Sequence, residues 1–122
     1  KIEAYYYSKN SFGNLSKTLA LESRKGVEEL FLGLNSDGIE GPSYKSYLDY
    51  LETDIGSSVK TKLEEATLRI DDLQDNFLTQ ISENNTLMLV AFDALQTIVV
   101  NLKTDMLSNF NVAVDYTDAD GD

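Results

Sequence analysis

The chain has 122 residues, ten Lys and Arg against 21 Asp and Glu, a formal net charge of −11, and neither cysteine nor histidine. That length supports about one domain with one core, and the charge repels phosphate backbones and anionic lipid, which disfavours nucleic acid and membrane surfaces as partners. Without cysteine there is no disulfide and no thiolate metal site. Without histidine the commonest general base is missing, so chemistry done by this chain alone falls to carboxylates, hydroxyls, Tyr and Lys.

The first residues carry three consecutive tyrosines, Tyr5, Tyr6 and Tyr7, a cluster read as partly buried rings with wet hydroxyls. From Ser11 the apolar positions Phe12, Leu15, Leu19, Val27, Leu30 and Phe31 follow helical spacing. Asn10 or Ser11 is the expected cap and Gly33 the expected stop. Gly26 inside this helix costs about 1 kcal/mol relative to Ala, which points to a close helix approach. The glycine-rich stretch from Gly33 to Pro42, which ends at the chain's one proline, reads as a loop. A short helix from Ser43 to Leu51 then places Tyr44, Tyr47, Leu48 and Leu51 on one face.

The clearest periodicity runs Val59, Leu63, Ala66, Ile70, Leu73, Phe77, Ile81, the seam of a helix packed at a shallow angle, with a charged and solvated opposite face. A turn is expected over Ser82–Asn85, capped by Asn84 or Asn85. The last helix, from about Thr86 to Asn109, has Leu87, Ala91, Ala94, Leu95, Ile98, Leu102, Met106 and Phe110 on its seam. It adds Leu89, Val90, Phe92, Val99 and Val100 elsewhere on its surface. An apolar girth this wide predicts a central position, or a face turned to a second domain. Its longest unbroken apolar run, Leu87 to Phe92, is too short for a bilayer, so no membrane-spanning segment is expected. Beyond Phe110 the alternation of Val112, Val114 and Tyr116 with Ala113, Asp115 and Thr117 has the period of a short strand.

The acidic terminus, with Asp118, Asp120 and Asp122 around Gly121, invites a calcium loop. With Gly121 at position 6, however, position 1 is Tyr116 and the chain ends before position 12. Asp93 and Asp105 share the last helix but lie about three turns apart, too far to act as an acid and base pair. There is no glycine-rich phosphate loop, nucleophile elbow or zinc helix.

Several phrases in order carry a resemblance. Asn10-Ser11 opens a helix that Val27-Glu-Glu-Leu-Phe-Leu-Gly33 closes, and Gly41-Pro42-Ser43 precedes Tyr47-Leu48. Ala94-Leu-Gln then leads through Leu102-Lys-Thr-Asp105 to the terminal Asp118-Ala-Asp-Gly-Asp122. Over nearly the whole chain this resembles the second half of imelysin-like proteins, the insulin-cleaving peptidase family that also includes domains of iron-uptake lipoproteins. The resemblance implies a protein of two helical bundles in the bacterial periplasm or at the cell surface, with lipoprotein anchoring in the full-length protein. It also implies a Gly-x-His-x-x-Glu metal motif in the first half. That motif is missing from this chain, which fits either a divergent relative without it or, the favoured expectation, a divalent metal, iron or zinc, bound through an absent N-terminal half, with Ser8, Asn10 and Ser11 as polar groups between the halves.

The expected fold is all-α: one helical domain over residues 1–122, an antiparallel bundle of three main helices and one short helix with a strand-like tail. The leading functional expectation is an imelysin-like cell-envelope protein associated with iron acquisition, binding a metal or ligand between its halves. One rival is a metallopeptidase acting on a peptide, although a hydrolytic metal needs about three protein ligands and a water. The other is a non-enzymatic interaction module that docks a partner protein.

Overall fold

The structure, a computed structural model, describes residues 14–112. Their secondary structure consists of α1 (Ser16–Leu32), the short α2 (Tyr44–Tyr50), α3 (Ile55–Asp71) and α4 (Phe77–Asn109). The all-α expectation therefore holds for the described residues. The strand-like tail, the three tyrosines and the acidic terminus lie outside them.

The helix ends follow from side-chain and backbone chemistry. Residues Asn14 and Leu15 form a turn and α1 begins at Ser16, so the cap expected at Asn10 or Ser11 is displaced. Those two residues themselves lie outside the described range. Gly33 ends α1 in the left-handed region at φ 66°. A side chain there is barred twice, by that φ and because a Cβ would meet the Pro42 carbonyl oxygen and Ser43 Cβ at 2.8 Å. The loop that follows is pinned by Asn35, whose Oδ1 accepts from the amides of Asp37 and Ile39, both at 2.9 Å. It closes where Gly41 N–H donates to the Gly33 carbonyl at 3.0 Å. Ser43 and Ser46 then form a reciprocal capping box, with Ser46 N–H donating to Ser43 Oγ at 3.0 Å and Ser43 N–H to Ser46 Oγ at 2.8 Å.

α3 is the centre of the fold. Its buried residues Gly56, Val59, Leu63, Ala66 and Ile70 recur at three- and four-residue steps, and α1, α2 and α4 all pack against it. Val59, Leu63 and Ala66 form the core with Phe31, Leu32, Leu48, Ile98 and Met106, in which a fully buried side chain such as Leu48 or Leu63 is worth about 1.5–3 kcal/mol relative to exposure. The close helix approach expected at Gly26 is not found there, and it is Gly56 that sits tightly against side chains of α2. A Cβ at Gly26 would meet nothing within 4 Å, whereas one at Gly56 would meet Asp49 Oδ1 at 3.1 Å and Lys45 Cγ at 3.2 Å. α1 runs antiparallel to α3, and Lys17 fastens the start of one to the end of the other. Its Nζ donates to the carbonyls of Asp71 at 2.7 Å and Leu73 at 3.0 Å, a cation at the negative end of a helix.

Two expectations about the long seam are corrected. The periodicity from Val59 to Ile81 is not one helix, because α3 ends at Asp71 and the chain reverses before Phe77. Asn76 opens α4 by accepting from the amides of Leu78 at 3.0 Å and Thr79 at 3.2 Å. The turn expected over Ser82–Asn85 survives as a kink, since Asn84 alone has non-helical angles, φ −151° and ψ 81°. Gln80, only 1% exposed, joins the two breaks: its Oε1 accepts from Gln74 N–H at 2.9 Å and its Nε2 donates to the Asn84 carbonyl at 2.7 Å. Both ends of a buried amide are thereby satisfied.

The last helix was expected to be central or to face a second domain. α3 holds the central place, and α4 packs against it along one side through Ala91, Ile98 and Met106. Between Asn101 and Met106 the helix widens into a π segment before a final α turn, Leu107–Asn109. The buried Asn101 side chain in that segment receives a hydrogen bond from Ser58 Oγ at 3.4 Å and donates to Asp105 Oδ2. Asn111, at φ 54°, ends α4, with Val112 N–H donating back to the Leu107 carbonyl at 3.1 Å.

Candidate functional site: an aromatic groove and two open helix faces

The bundle presents two features that a single closed core does not need. The first is a groove where the carboxyl end of α1, the loop after it, α2 and the end of α4 meet. Its volume is about 930 Å³ and its walls include Leu30, Leu34, Pro42, Tyr44, Tyr47 and Phe110. That is near the upper end of the about 300–1,000 Å³ usual for ligand clefts. Three rings are held together there. Tyr44 stacks on Phe110 with centroids 6.2 Å apart and an interplanar angle of 25°, and Tyr47 meets the same ring at 5.2 Å and 51°. Both tyrosines remain roughly half exposed, although they were expected on one face with the core residue Leu48. Glu29 is the charged residue among those lining the groove, and its carboxylate makes a loose surface pair with Lys25 at 3.7 Å.

The second feature is apolar surface left open. On α4 the side turned away from α3 carries Leu89, Phe92, Val99 and Val100, 39–55% exposed. Leu89 and Phe92 lie one turn apart and Val99 and Val100 about two turns further on, so the four form an apolar ridge on one side of the helix, with the polar Asp93 and Gln96 between them. On α1 the apolar positions Leu15, Leu19, Val27 and Leu30, expected to face the core, are likewise exposed, and burial begins only at Phe31. Exposed apolar side chains gathered on one side of a helix mark a surface that a partner can cover.

α4 is also long and apolar enough to cross a membrane by length and composition, and only 17% of its most apolar stretch is buried. The core helix of a soluble protein meets the same criterion. Here one side of that helix is committed to α3 by Ala91 and Ile98.

The candidate residues read from the sequence do not assemble into a catalytic centre. Ser8, Asn10 and Ser11, and the carboxylates Asp118, Asp120 and Asp122, lie outside the described residues. Asp93 is exposed on α4, while Asp105 is half-buried and hydrogen-bonded to the Asn101 amide, a satisfied structural group. Among the described residues no three Asp or Glu side chains converge as metal ligands, so the donor set for the implied iron or zinc is not found there. The groove escaped sequence reading. Tyr44 and Tyr47 are legible as neighbours on one helix face, but nothing in the pattern brings Phe110 to them.

With protein-family models, curated proteins and solved structures alike, comparison of the chain gives no significant match.

Proposed function

We propose that this chain is the docking half of an imelysin-like cell-envelope protein associated with iron acquisition, and that the open face of α4 is the surface on which the other half seats. The observation that carries this reading is the Leu89, Phe92, Val99, Val100 ridge, an exposed apolar side of α4 that no element among the described residues covers. In this reading the metal or ligand site belongs to the other half, where the family's Gly-x-His-x-x-Glu motif would lie. This chain supplies the scaffold, and no chemical step runs through its own residues.

The test uses the full-length protein and its Phe92→Asp, Val99→Asp double variant. Iron and zinc are titrated calorimetrically, and interdomain contact is followed by hydrogen exchange along α4. The reading expects metal binding in the parent, with protection of the Leu89–Val100 amides that the double variant loses. A full-length protein whose α4 ridge exchanges as freely as in this chain alone would overturn it. Chelator-sensitive cleavage of insulin B chain by the parent would shift the assignment to the peptidase rival. Protection of the ridge only on adding a separate polypeptide would instead support a plain interaction module.

A further inference from the structure

We propose that the groove between α1, α2 and the end of α4 is a binding site for a basic peptide segment. It would take one Arg or Lys side chain against the Tyr44, Tyr47 and Phe110 rings beside Glu29, with a neighbouring aliphatic side chain against Leu30, Leu34 and Pro42. This site is separate from the α4 ridge and does not depend on the docking reading.

Four observations favour a cation. Glu29 lines the groove, and its pair with Lys25 at 3.7 Å is long and solvent-exposed, so exchanging that partner for a ligand cation sacrifices little. The groove receives the carboxyl end of α1, a 17-residue helix whose last turn carries no basic side chain of its own to offset the negative end of its dipole. Aromatic rings attract cations through their electron-rich faces, and Tyr44 and Tyr47 keep part of their surface open. The surrounding chain is lopsided in charge: from residue 29 to 54 it holds six carboxylates, Glu29, Asp37, Glu40, Asp49, Glu52 and Asp54, against the single cation Lys45. Lys45 is itself engaged with Asp49 at 2.6 Å. The amino end of α2 opens near the same groove, but that helix has only seven residues and its first turn is closed by the Ser43 capping box.

The apolar walls argue for more than a lone cation. Leu30, Leu34 and Pro42 extend the lining well beyond the rings, and a bare ammonium would leave them wet. The trough is open to solvent, so its occupant can be part of a longer chain. A basic residue next to an aliphatic one satisfies both halves of the site.

The probes are two blocked tripeptides, acetyl-Leu-Arg-Leu-amide and its counterpart with citrulline, a neutral isostere of arginine, in the middle. Each is titrated into the chain by amide NMR. The arginine peptide is expected to shift the groove amides and to bind roughly threefold to tenfold tighter than the citrulline peptide, the range of a cation meeting a ring face and a carboxylate. Glu29→Gln should bring the two peptides close together by weakening only the arginine one. Tyr47→Leu keeps the wall apolar and should also cost the arginine peptide more. Equal affinities for both peptides in the parent would overturn the proposal in favour of a neutral apolar pocket. Arginine-specific shifts spread over the acidic surface instead of the groove would reduce it to long-range attraction, and silence of both peptides at millimolar concentration would remove the site.

Discussion

The inner and outer sides of α4 are built from the same residue types and meet opposite fates. Ala91, Ile98 and Met106 are buried against the core, while Leu89, Phe92, Val99 and Val100 stand open a few residues away. What separates them is the partner. α3 offers the inner side a complementary row in Val59, Leu63 and Ala66, and among the described residues no element offers the outer side anything. Hydrophobicity marks a surface as needing burial; the fold shows which such surfaces are already served.

The sharpest way to break this comparison is to place the same charge on each side. Ile98→Asp buries an unpaired carboxylate at a site 4% exposed. It should cost several kcal/mol of a typical margin of about 5–15 kcal/mol, read as loss of the cooperative melt in circular dichroism. An unchanged melting temperature would show that the α3–α4 interface is not the core. A smaller effect is expected from Gln80→Ala. It strands the Gln74 amide and the Asn84 carbonyl and leaves a small cavity, for about 2–3 kcal/mol by urea denaturation. The Gln74 amide should then exchange faster with solvent. The smallest belongs to Phe92→Asp on the outer ridge, which should change the stability of this chain alone by no more than about 0.5 kcal/mol. If it destabilised the chain as much as Ile98→Asp, the outer side would have an internal partner.

How much of this the sequence discloses depends on the range of the interaction involved. Gly33, Ser43 and the loop between them are local, and their chemistry announces the end of α1 and the start of α2 directly. The seam of α3 is legible because Val59, Leu63, Ala66 and Ile70 keep helical phase. That phase is also what misleads. Phe77 and Ile81 continue it by coincidence after the chain has turned, and Asn76, whose side chain caps α4, marks the true boundary. Asn84-Asn85 offers the same amide side chain and yields only a kink, across which the Gln80 amide donates to the Asn84 carbonyl. Burial is less legible still. The periodic stripe Leu15, Leu19, Leu30 predicts a core face, yet it lies open, since periodicity reveals which residues share a side and not what stands opposite. The groove depends on Phe110 meeting Tyr44 and Tyr47 from the far end of the chain, a contact that no local pattern encodes.

The widened turn at Asn101–Met106 bears on where that last ring points. Each residue of an α-helix advances the side-chain direction by about 100°, so at regular pitch the twelve steps from Ile98 to Phe110 would rotate Phe110 about 120° from the buried side, towards the bearing of Phe92 and Val99. A π segment absorbs about one residue of phase, which returns Phe110 to the side of Ile98 and into contact with the two tyrosines. The sequence keeps step with it, since Ile98, Leu102, Met106 and Phe110 recur every four residues, slower than a regular helix turns. Deleting one residue within the widened turn would therefore tighten it to regular pitch and leave Phe110 within about 20° of the bearing of Ile98, still facing the tyrosines, so the extra residue widens the helix without being what aims the ring.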